Sequence, residues 1–358
     1  MRTKPLFPEP ARYFPLHSGR FAIKAGLYAL GTGFGNGPAD HHIFQFDRHC
    51  THYLESKTRA RREEPGKYVC EDDPGKGVLQ ALATLMVQTL PREHPELFRV
   101  ETATTGDSLL LHCAPSGQVL HLDQEMNLLD VLPSSRQPSM PDPPYTSVLD
   151  ALACQVQEDI AITEIDETGN DRLSALHLCF PNHWAASDKI GQCFARIHEP
   201  VPGIDRISRK AAPLLQRLVS SGPYVRFAWG LSTDKRLNHH PVAPAGTGQD
   251  TCWRGRQFDP RNPELYVRVE RQVIHGLPGS RAFLFTIRTY FVTVDTLEGG
   301  KIERLAAAIR TMDPETREYK GIAGQSGNIL EWLDSLVAEK NTENGTIPHD
   351  SITGEINV

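Results

Sequence analysis

The sequence predicts an α+β fold in which an antiparallel sheet is flanked by helices. The clearest signal is a pair of alternating strands, Tyr266–Ile274 and Ala282–Tyr290, joined by the short link HGLPGSR, which is typical of an antiparallel hairpin. In addition, strands and helices do not alternate strictly along the chain, as they would in a doubly wound α/β protein.

The amino-terminal half shows weaker periodicity. Residues 1–75 are rich in Pro and Gly, and we expect them to form an irregular extension. Helical spacing of apolar residues predicts a helix over Gly77–Leu90, stopped by Pro91, and short alternating stretches within 97–131 suggest a hairpin. A proline-rich connector at 132–144 follows.

The carboxy-terminal half alternates short helices with strands. A helix is predicted over Tyr145–Val156, a strand around Leu176–Phe180, a helix over Ala211–Val219 and a strand at Val225–Trp229. Further helices are predicted near 301–311 and 327–338. The domain boundaries that we expect are therefore 1–75 for the extension, 76–340 for the folded domain and 341–358 for a disordered tail.

Composition excludes several classes of protein. A net charge of -6 argues against a nucleic-acid surface, and no apolar run is long enough to cross a membrane. Met1–Pro10 has no apolar signal core, and the seven cysteines form no C-x-x-C pair. We therefore expect a cytoplasmic protein with reduced cysteines and no structural zinc site.

Several tempting motifs are incomplete. The glycine run Gly31, Gly33, Gly35 and Gly37 lacks both the dinucleotide and the phosphate-loop patterns, so we interpret it as a flexible loop. The histidines at 41, 42, 49, 239 and 240 lack the ligand spacing of zinc sites, and we expect them to be exposed to solvent. A G-x-S-x-G nucleophile elbow is absent.

The segment LHLCFPNHWAASDKIGQCFARIHEPVPG, residues 176–203, carries the best candidate for a metal ligand. His198 lies between Ile197 and the turn Pro200-Val201-Pro202, which would hold an imidazole in one orientation. A neutral imidazole is a common axial ligand of haem iron. A half-buried, hydrogen-bonded core histidine is the simpler interpretation, and the residues alone leave both open.

The predicted strand pair gathers polar residues. Arg268, Glu270 and Gln272 share one side of the first strand, and Arg288 and Tyr290 share one side of the second. These positions fit either a solvated outer face or the wall of a pocket, where arginines would bind carboxylates and Glu or Tyr would orient a polar substrate.

Four ordered blocks within 170–335 resemble the haem-dependent oxidative N-demethylase family. They are LCFPNHWAASDKIGQCFARIHEPVPG, RFAWGLSTDKRL, LYVRVERQVIHGLPGSRAFLFTIRTYFVTVDTL and YKGIAGQSGNILEWL. The resemblance implies a PAS-like α+β fold that holds haem b through a histidine. It also implies the O2-dependent removal of a methyl group from a secondary or N-methyl amine, giving formaldehyde, with electrons from a partner reductase that carries flavin and iron–sulfur centres.

By position in the I-H-x-P-V-P block, His198 is the expected iron ligand, with His177 and His183 next in line. Glu270 and Tyr290 are the expected substrate-orienting residues. The residues expected to line the cofactor are Trp184, Lys189, Arg268, Arg271, Gln272 and Arg288. Two other functions stay open, a haem-PAS sensor of O2 or redox state and a non-catalytic small-molecule binding module.

Overall fold

The computed structural model describes residues 7–75, 77–103, 106–135, 138–244 and 257–345. The strands are β1 Tyr28–Ala29, β2 Val69–Glu71, β3 Phe98–Thr102, β4 Ser108–Cys113, β5 Gln118–Asp123, β6 Leu128–Pro133, β7 Asp159–Ile165, β8 Asp171–His177, β9 Tyr224–Ser232, β10 Tyr266–Gly276 and β11 Ala282–Thr293.

Ten α-helices are formed by the described residues, together with short 3-10 helices at Gly37–His41 and Ala186–Asp188. The α-helices are α1 Cys50–Glu63, α2 Pro65–Tyr68, α3 Val78–Glu93, α4 Val148–Ala153, α5 Phe194–His198, α6 Asp205–Ser208, α7 Ala211–Ser220, α8 Gly299–Arg310, α9 Pro314–Tyr319 and α10 Ser326–Gly345.

The centre of the molecule is a seven-stranded antiparallel sheet with the order β1-β9-β10-β11-β7-β8-β2. The predicted hairpin is its longest pair, with Tyr266 opposite Thr293 and Gly276 opposite Phe283. Helix α7 packs on one face of this hairpin through Leu215 and Leu218. Helices α8 and α10 pack on the other face. The mixture of helices and antiparallel sheets confirms the α+β prediction.

A second sheet, with the order β3-β4-β5-β6, stands where the sequence suggested one hairpin within 97–131. Helix α3 packs Leu82, Met86 and Leu90 against its inner face, where Leu111 and Leu120 are fully buried. Pro91 lies inside α3 and does not stop it, because a helix that continues for only two more residues loses little from one missing donor.

The expectation of an irregular extension over 1–75 misses helix α1. Its inward positions include Lys57 and Arg61, which hide the apolar periodicity in the sequence. Both cations are buried because they are paired. Lys57 donates to the carbonyl oxygens of Ala153 and Glu158, and Arg61 pairs with Asp150 at 2.8 Å.

At the carboxy terminus, residues 341–345 of the predicted tail belong to α10, and 346–358 lie outside the described residues. In the part of the chain that the structure describes, no helix is both long and apolar enough to cross a bilayer.

Candidate functional site

Strand β10 divides the polar residues of the hairpin between two faces of the sheet. Arg268, Glu270 and Gln272 lie opposite Phe291, Thr289 and Ile287 of β11. In an antiparallel pair, residues directly opposite each other project to the same face. The face that carries Glu270 is therefore lined on β11 by Phe285, Ile287 and Thr289, and it is the face that α5 and α7 cover. We call it the α7 face.

His198 is the last residue of the short helix α5, above the α7 face. Its Nδ1 atom lies 2.8 Å from the carbonyl oxygen of Phe194, and its ring stacks on the Phe194 ring with centroids 4.2 Å apart. The Pro-Val-Pro turn continues from it, with the amide of Val201 donating to the His198 carbonyl at 2.8 Å. Among the described residues the Nε2 atom has no hydrogen-bond partner, so one ring nitrogen stays available.

Burial keeps this imidazole neutral. Desolvation, reinforced by the positive charges of Lys189 and Arg226, lowers the pKa of His198 to about 4, although the Phe194 carbonyl acts in the opposite direction. A neutral imidazole with a free nitrogen is the form that binds a metal ion. The same shift shows that Lys189 and Arg226 lie within electrostatic reach of the ring.

Trp184 and Lys189 form one edge of the site. The Lys189 Nζ atom lies 4.1 Å from the centroid of the Trp184 ring, and burial lowers the pKa of this lysine while Glu270 acts to raise it. The chain then turns at Gly191, whose φ of +76° favours glycine. A β-carbon there would lie 3.0 Å from an Asp72 carboxylate oxygen, a close contact that also favours glycine at this position.

Arg226 on β9 is the residue that the sequence analysis missed. It lies opposite Gln272, so it projects to the α7 face, and burial lowers its pKa while Glu270 acts to raise it. Its Nε atom is buried without a hydrogen-bond partner among the described residues. The available signal was the strand RFAWG, which was already one of the four resembling blocks.

Glu270 is the anion of the site. Its Oε2 atom accepts a hydrogen bond from Gln272 Nε2 at 3.0 Å, and its Oε1 atom lies 4.0 Å from Arg268 Nε. Arg268 itself is occupied elsewhere, because it donates to the carbonyl oxygens of Phe180 and Leu237 at 2.8 and 3.1 Å. Among the residues that the structure describes, only Gln272 holds the Glu270 carboxylate at hydrogen-bond distance, and Lys189 and Arg226 lie within electrostatic reach of it.

An apolar surface adjoins these charges. Ala161, Leu176 and Leu178 form a buried cluster against which Trp184, Ile190, Ile197 and Phe285 pack while staying half exposed. Half-exposed large apolar side chains therefore lie next to partly buried cations between α5 and the sheet, and we call this surface, apolar on one side and charged on the other, the cleft. This arrangement suits a flat, largely apolar ligand with anionic substituents.

Arg271, Arg288 and Tyr290 are not part of this site. Arg271 lies opposite Arg288, and Tyr290 opposite Val269, so all three project to the other face of the sheet. The expectation that Arg288 and Tyr290 join Glu270 in one pocket wall is therefore wrong. The pattern of β11 alone could not show which of its faces adjoins which face of β10, since that depends on register.

On this second face each of the three residues has a buried partner. Arg288 pairs with Asp47 at 2.6 Å, and Arg271 donates to the His42 carbonyl oxygen at 2.7 Å. The Tyr290 hydroxyl donates to Gln45 Oε1, and its ring borders a cavity of about 440 Å³ beneath the amino-terminal segment. These hydrogen bonds join residues 42–47 of the amino-terminal segment to the sheet.

His177 also lies away from the candidate site. It is fully buried on the second face, where its Nε2 atom lies 3.3 Å from Asp150 Oδ1 and 3.6 Å from Cys154 Sγ. This trio could in principle hold a metal ion, but Arg61 already pairs with Asp150 at 2.8 Å and supplies the positive charge. We interpret it as a structural network.

Of the histidines expected at the surface, His41 and His49 are exposed and His42 is half-buried. His239 and His240 are buried, contrary to the expected solvent exposure. His239 bonds to Asp234 at 2.8 Å, and its ring lies 5.0 Å from that of His183, which immediately precedes Trp184. These contacts position the loop that carries Trp184.

A comparison with protein families agrees with the resemblance of the four sequence blocks. The family model described as haem-dependent oxidative N-demethylase, alpha subunit-like, matches residues 37–329. This range includes every strand except β1, and with it the hairpin of β10 and β11 and the cleft residues named above. The match covers most of the 358-residue chain. The chain therefore belongs to the haem-dependent oxidative N-demethylase, alpha subunit-like family.

Proposed function

We propose that this protein is a haem-dependent oxidative N-demethylase that binds haem b in the cleft between α5 and the α7 face. His198 carries the proposal, because it offers a neutral imidazole whose Nδ1 atom is fixed by the Phe194 carbonyl and whose Nε2 atom is available to iron. The half-exposed apolar side chains beside it fit the porphyrin ring.

Lys189 and Arg226 fit the haem propionates. Both are partly buried cations near Glu270, and charge-assisted hydrogen bonds to propionates would compensate for their burial. Arg271 and Arg288 have no such role, because both are committed to the second face. The Arg268 Nε atom lies 4.0 Å from Glu270 Oε1, so its positive charge stabilises the carboxylate.

The fold is consistent with a PAS-like domain. The strands β7, β8, β9, β10 and β11 have the spatial order β8-β7-β11-β10-β9, and α5, α6 and α7 lie between the second and third of them in the chain. This order and this placement of short helices are typical of PAS domains, whose ligands lie between those helices and the sheet.

Bound haem would supply the activation of O2 for the oxidation of an N-methyl group to formaldehyde. Glu270 is the group that we assign to the amine, since a carboxylate held by Gln272 would attract an ammonium ion and orient it. The apolar cluster around Leu176 and Phe285 would exclude water, and desolvation would favour the neutral, more easily oxidised amine. Tyr290 is removed from this assignment because it lies on the second face.

The electrons must come from a partner, which we propose to be a flavin and iron–sulfur reductase. The sequence contains neither a dinucleotide fingerprint nor a cluster-binding cysteine pattern, and the family description names an alpha subunit. We also retain the cytoplasmic location as part of the proposal, because the six cysteines among the described residues are all free.

The first test is an absorption spectrum with a haemochrome assay on haem-reconstituted protein. We expect about one haem per chain in the wild type, and loss of most of it in His198→Ala. His183→Ala is the matched control, because its ring packs against His239 and the variant keeps the backbone hydrogen bond from His183 to His239 that holds the loop, so we expect it to retain haem. Wild-type protein without a Soret band, or full haem content in His198→Ala, would contradict the proposed ligand.

The second test measures catalytic activity. With a reductase added, the haem-loaded protein should consume NADPH in proportion to an added secondary amine and release formaldehyde. Haem binding without amine-dependent turnover would favour the sensor alternative. Absence of haem would favour the non-catalytic binding module.

A further inference from the structure

The short helix α5 carries His198, but the helix has little stability of its own. It contains only five residues, Phe194–His198, whereas an isolated helix shorter than about twelve residues is marginal in water. None of its residues is fully buried, so packing alone does little to hold it. Its N-cap residue, Cys193, makes no side-chain hydrogen bond to the helix. The position of His198 therefore depends on contacts between α5 and the rest of the protein.

Strand β8 supplies the contact at the start of the helix. The Phe194 amide donates a hydrogen bond to Asp171 Oδ2, 23 positions earlier in the chain. Phe194 is the first residue of α5, so its amide is one of those that no carbonyl oxygen within the helix can accept. A side-chain oxygen that accepts such an amide is what an N-cap residue normally provides. Asp171 thus takes the capping role that Cys193 does not fill.

Asp171 is itself held in the central sheet, because it is the first residue of β8. It lies opposite Ile165 of β7. Two positions further along β8, the Leu173 amide donates to the Gln192 carbonyl oxygen at 2.9 Å, and the Leu173 carbonyl oxygen accepts from the Gly191 amide at 2.8 Å. One end of β8 therefore binds both the first residue of α5 and the chain immediately before it.

Phe194 connects Asp171 to the imidazole of His198. Its amide is bound by Asp171, its carbonyl oxygen lies 2.8 Å from His198 Nδ1, and its ring stacks on the imidazole with centroids 4.2 Å apart. The ring also packs against the buried apolar cluster that contains Ile165. A displacement of Phe194 would therefore move both of the groups that orient His198.

We propose that Asp171 is a positioning residue for the haem ligand. By holding the first amide of α5 it keeps the Phe194 carbonyl in place beside His198 Nδ1, so the proton stays on Nδ1 and Nε2 is the nitrogen that binds iron. The inference rests on the proposed function for the identity of the bound group, whereas the effect of Asp171 on the imidazole is a property of the protein alone. Loss of a group that orients a metal-binding histidine costs about tenfold to a hundredfold in metal affinity.

The experiment compares three variants and one control with the wild type. Asp171→Ala removes the acceptor, whereas Asp171→Asn keeps an oxygen atom without the charge. Asp171→Ala/Cys193→Asp adds a carboxylate at the N-cap of α5, where the extended backbone of Cys193 suits a capping residue. Asp166→Ala is the matched control, because the Asp166 carboxylate accepts the amides of Thr168 and Asn170 within the turn that precedes β8.

The first readout is the tautomer of His198 in the apoprotein, from nitrogen-15 NMR at pH 7.5, with the signals assigned by comparison with His198→Ala. We expect the wild type to carry the proton on Nδ1, and Asp171→Ala to give signals averaged between the two tautomers. Asp171→Asn, the double variant and Asp166→Ala should resemble the wild type. This measurement needs no haem, so its result is independent of the proposed function.

The second readout is the rate at which haem leaves the reconstituted protein, measured by transfer to an excess of apomyoglobin. We expect Asp171→Ala to lose haem about tenfold faster than the wild type. Asp171→Asn and the double variant should stay within about threefold of the wild type, because Asn and Asp are comparable capping residues. Asp166→Ala should match the wild type, and urea unfolding of each protein separates haem loss from a general loss of stability.

An unchanged tautomer in Asp171→Ala would overturn the inference, as would equal haem loss from Asp171→Ala and Asp166→Ala. If Cys193→Asp restores neither readout, Asp171 does not act through the start of α5, and the inference also fails. Absence of a Soret band in the reconstituted wild type would overturn the proposed function, while the NMR comparison would still decide whether Asp171 orients the imidazole. Circular dichroism confirms folding, and Asp171→Val, with a β-branched side chain suited to a strand, replaces Asp171→Ala if the latter does not fold.

Discussion

The carbonyl oxygen of Phe194 lies 2.8 Å from the Nδ1 atom of His198, one helical turn later, and the Phe194 ring stacks against the imidazole. One residue thus fixes both the protonation pattern and the plane of the proposed iron ligand. A metal-binding histidine is usually held in this way through its second nitrogen.

The stacked ring should therefore matter for haem retention. Phe194→Ala keeps the carbonyl group but removes the ring that limits rotation of His198, and we expect haem to dissociate about tenfold faster. Transfer of haem to an excess of apomyoglobin measures this rate. Phe194→Leu, which restores most of the apolar volume, should recover part of the loss. An unchanged rate in the alanine variant would show that the stacking does not support the ligand.

Arg226 and Arg271 allow the two faces of the sheet to be compared directly. Arg226→Gln should weaken haem binding by about tenfold to a hundredfold, because a charge-assisted hydrogen bond contributes roughly 1.5–3 kcal/mol. Arg271→Gln should instead lower the free energy of unfolding with little effect on haem affinity, since Arg271 bonds to the amino-terminal segment on the second face. Haem titration and urea unfolding of both variants check this, and the reverse pattern would contradict the assignment of faces.

Glu270 should control amine binding without controlling haem content. Glu270→Gln keeps the size of the side chain but removes the charge that attracts an ammonium ion, so we expect KM for the amine to rise about tenfold or more. Haem content should stay at the wild-type level, which serves as the internal control. If KM stays constant while kcat falls, Glu270 acts after binding and the assignment must change.

The Arg288–Asp47 pair predicts a large effect on stability alone. Both side chains are almost fully buried and lie 2.6 Å apart, so Asp47→Asn should destabilise the fold by about 3 kcal/mol by leaving a buried guanidinium unpaired. The double variant Asp47→Asn/Arg288→Met removes both charges and should lose less than the sum of the single variants. Urea unfolding of all four proteins completes the cycle, and additive losses would show that the pair is not coupled.

His177 predicts a specific dependence of stability on pH. Burial lowers its pKa from 6.5 to about 4, so the folded state holds it neutral while the unfolded chain binds a proton below pH 6.5. The stability that the neutral His177 contributes is fully present above pH 6.5 and is lost as the pH falls toward 4. We expect the free energy of unfolding to fall by about 2 kcal/mol between pH 6.5 and 5 from this residue. Urea unfolding at pH 7.5 and 5.0 should show a smaller decrease for His177→Gln than for the wild type. Equal decreases would contradict this origin.

Elements whose sequence signal lies within one short stretch of the chain could be predicted. Alternation identified β10 and β11, and the proline-stiffened turn singled out His198, because both signals depend on neighbours in the chain. Trp184, Lys189, Glu270 and His198, chosen from two separated segments, lie close together on one face of the sheet, and their roles stay predictions.

What could not be predicted depends on register and pairing. Helix α1 was missed because Lys57 and Arg61 occupy inward positions that only distant carbonyl and carboxylate groups make tolerable. Arg288 and Tyr290 were assigned to the wrong face because the register between β10 and β11 cannot be read from the sequence of either strand alone.

The alternation of side chains along β10 between the two faces of the sheet has a consequence for engineering this protein. Even-numbered positions from Arg268 to Gln272 face the cleft, whereas Arg271 and Val273 face the buried network that secures the amino-terminal segment. A library aimed at new amines should diversify the even positions and leave the odd ones untouched. A one-residue slip of β10 against its neighbouring strands would exchange the two sets and put Arg271 in the place of Glu270, converting an anionic wall into a cationic one.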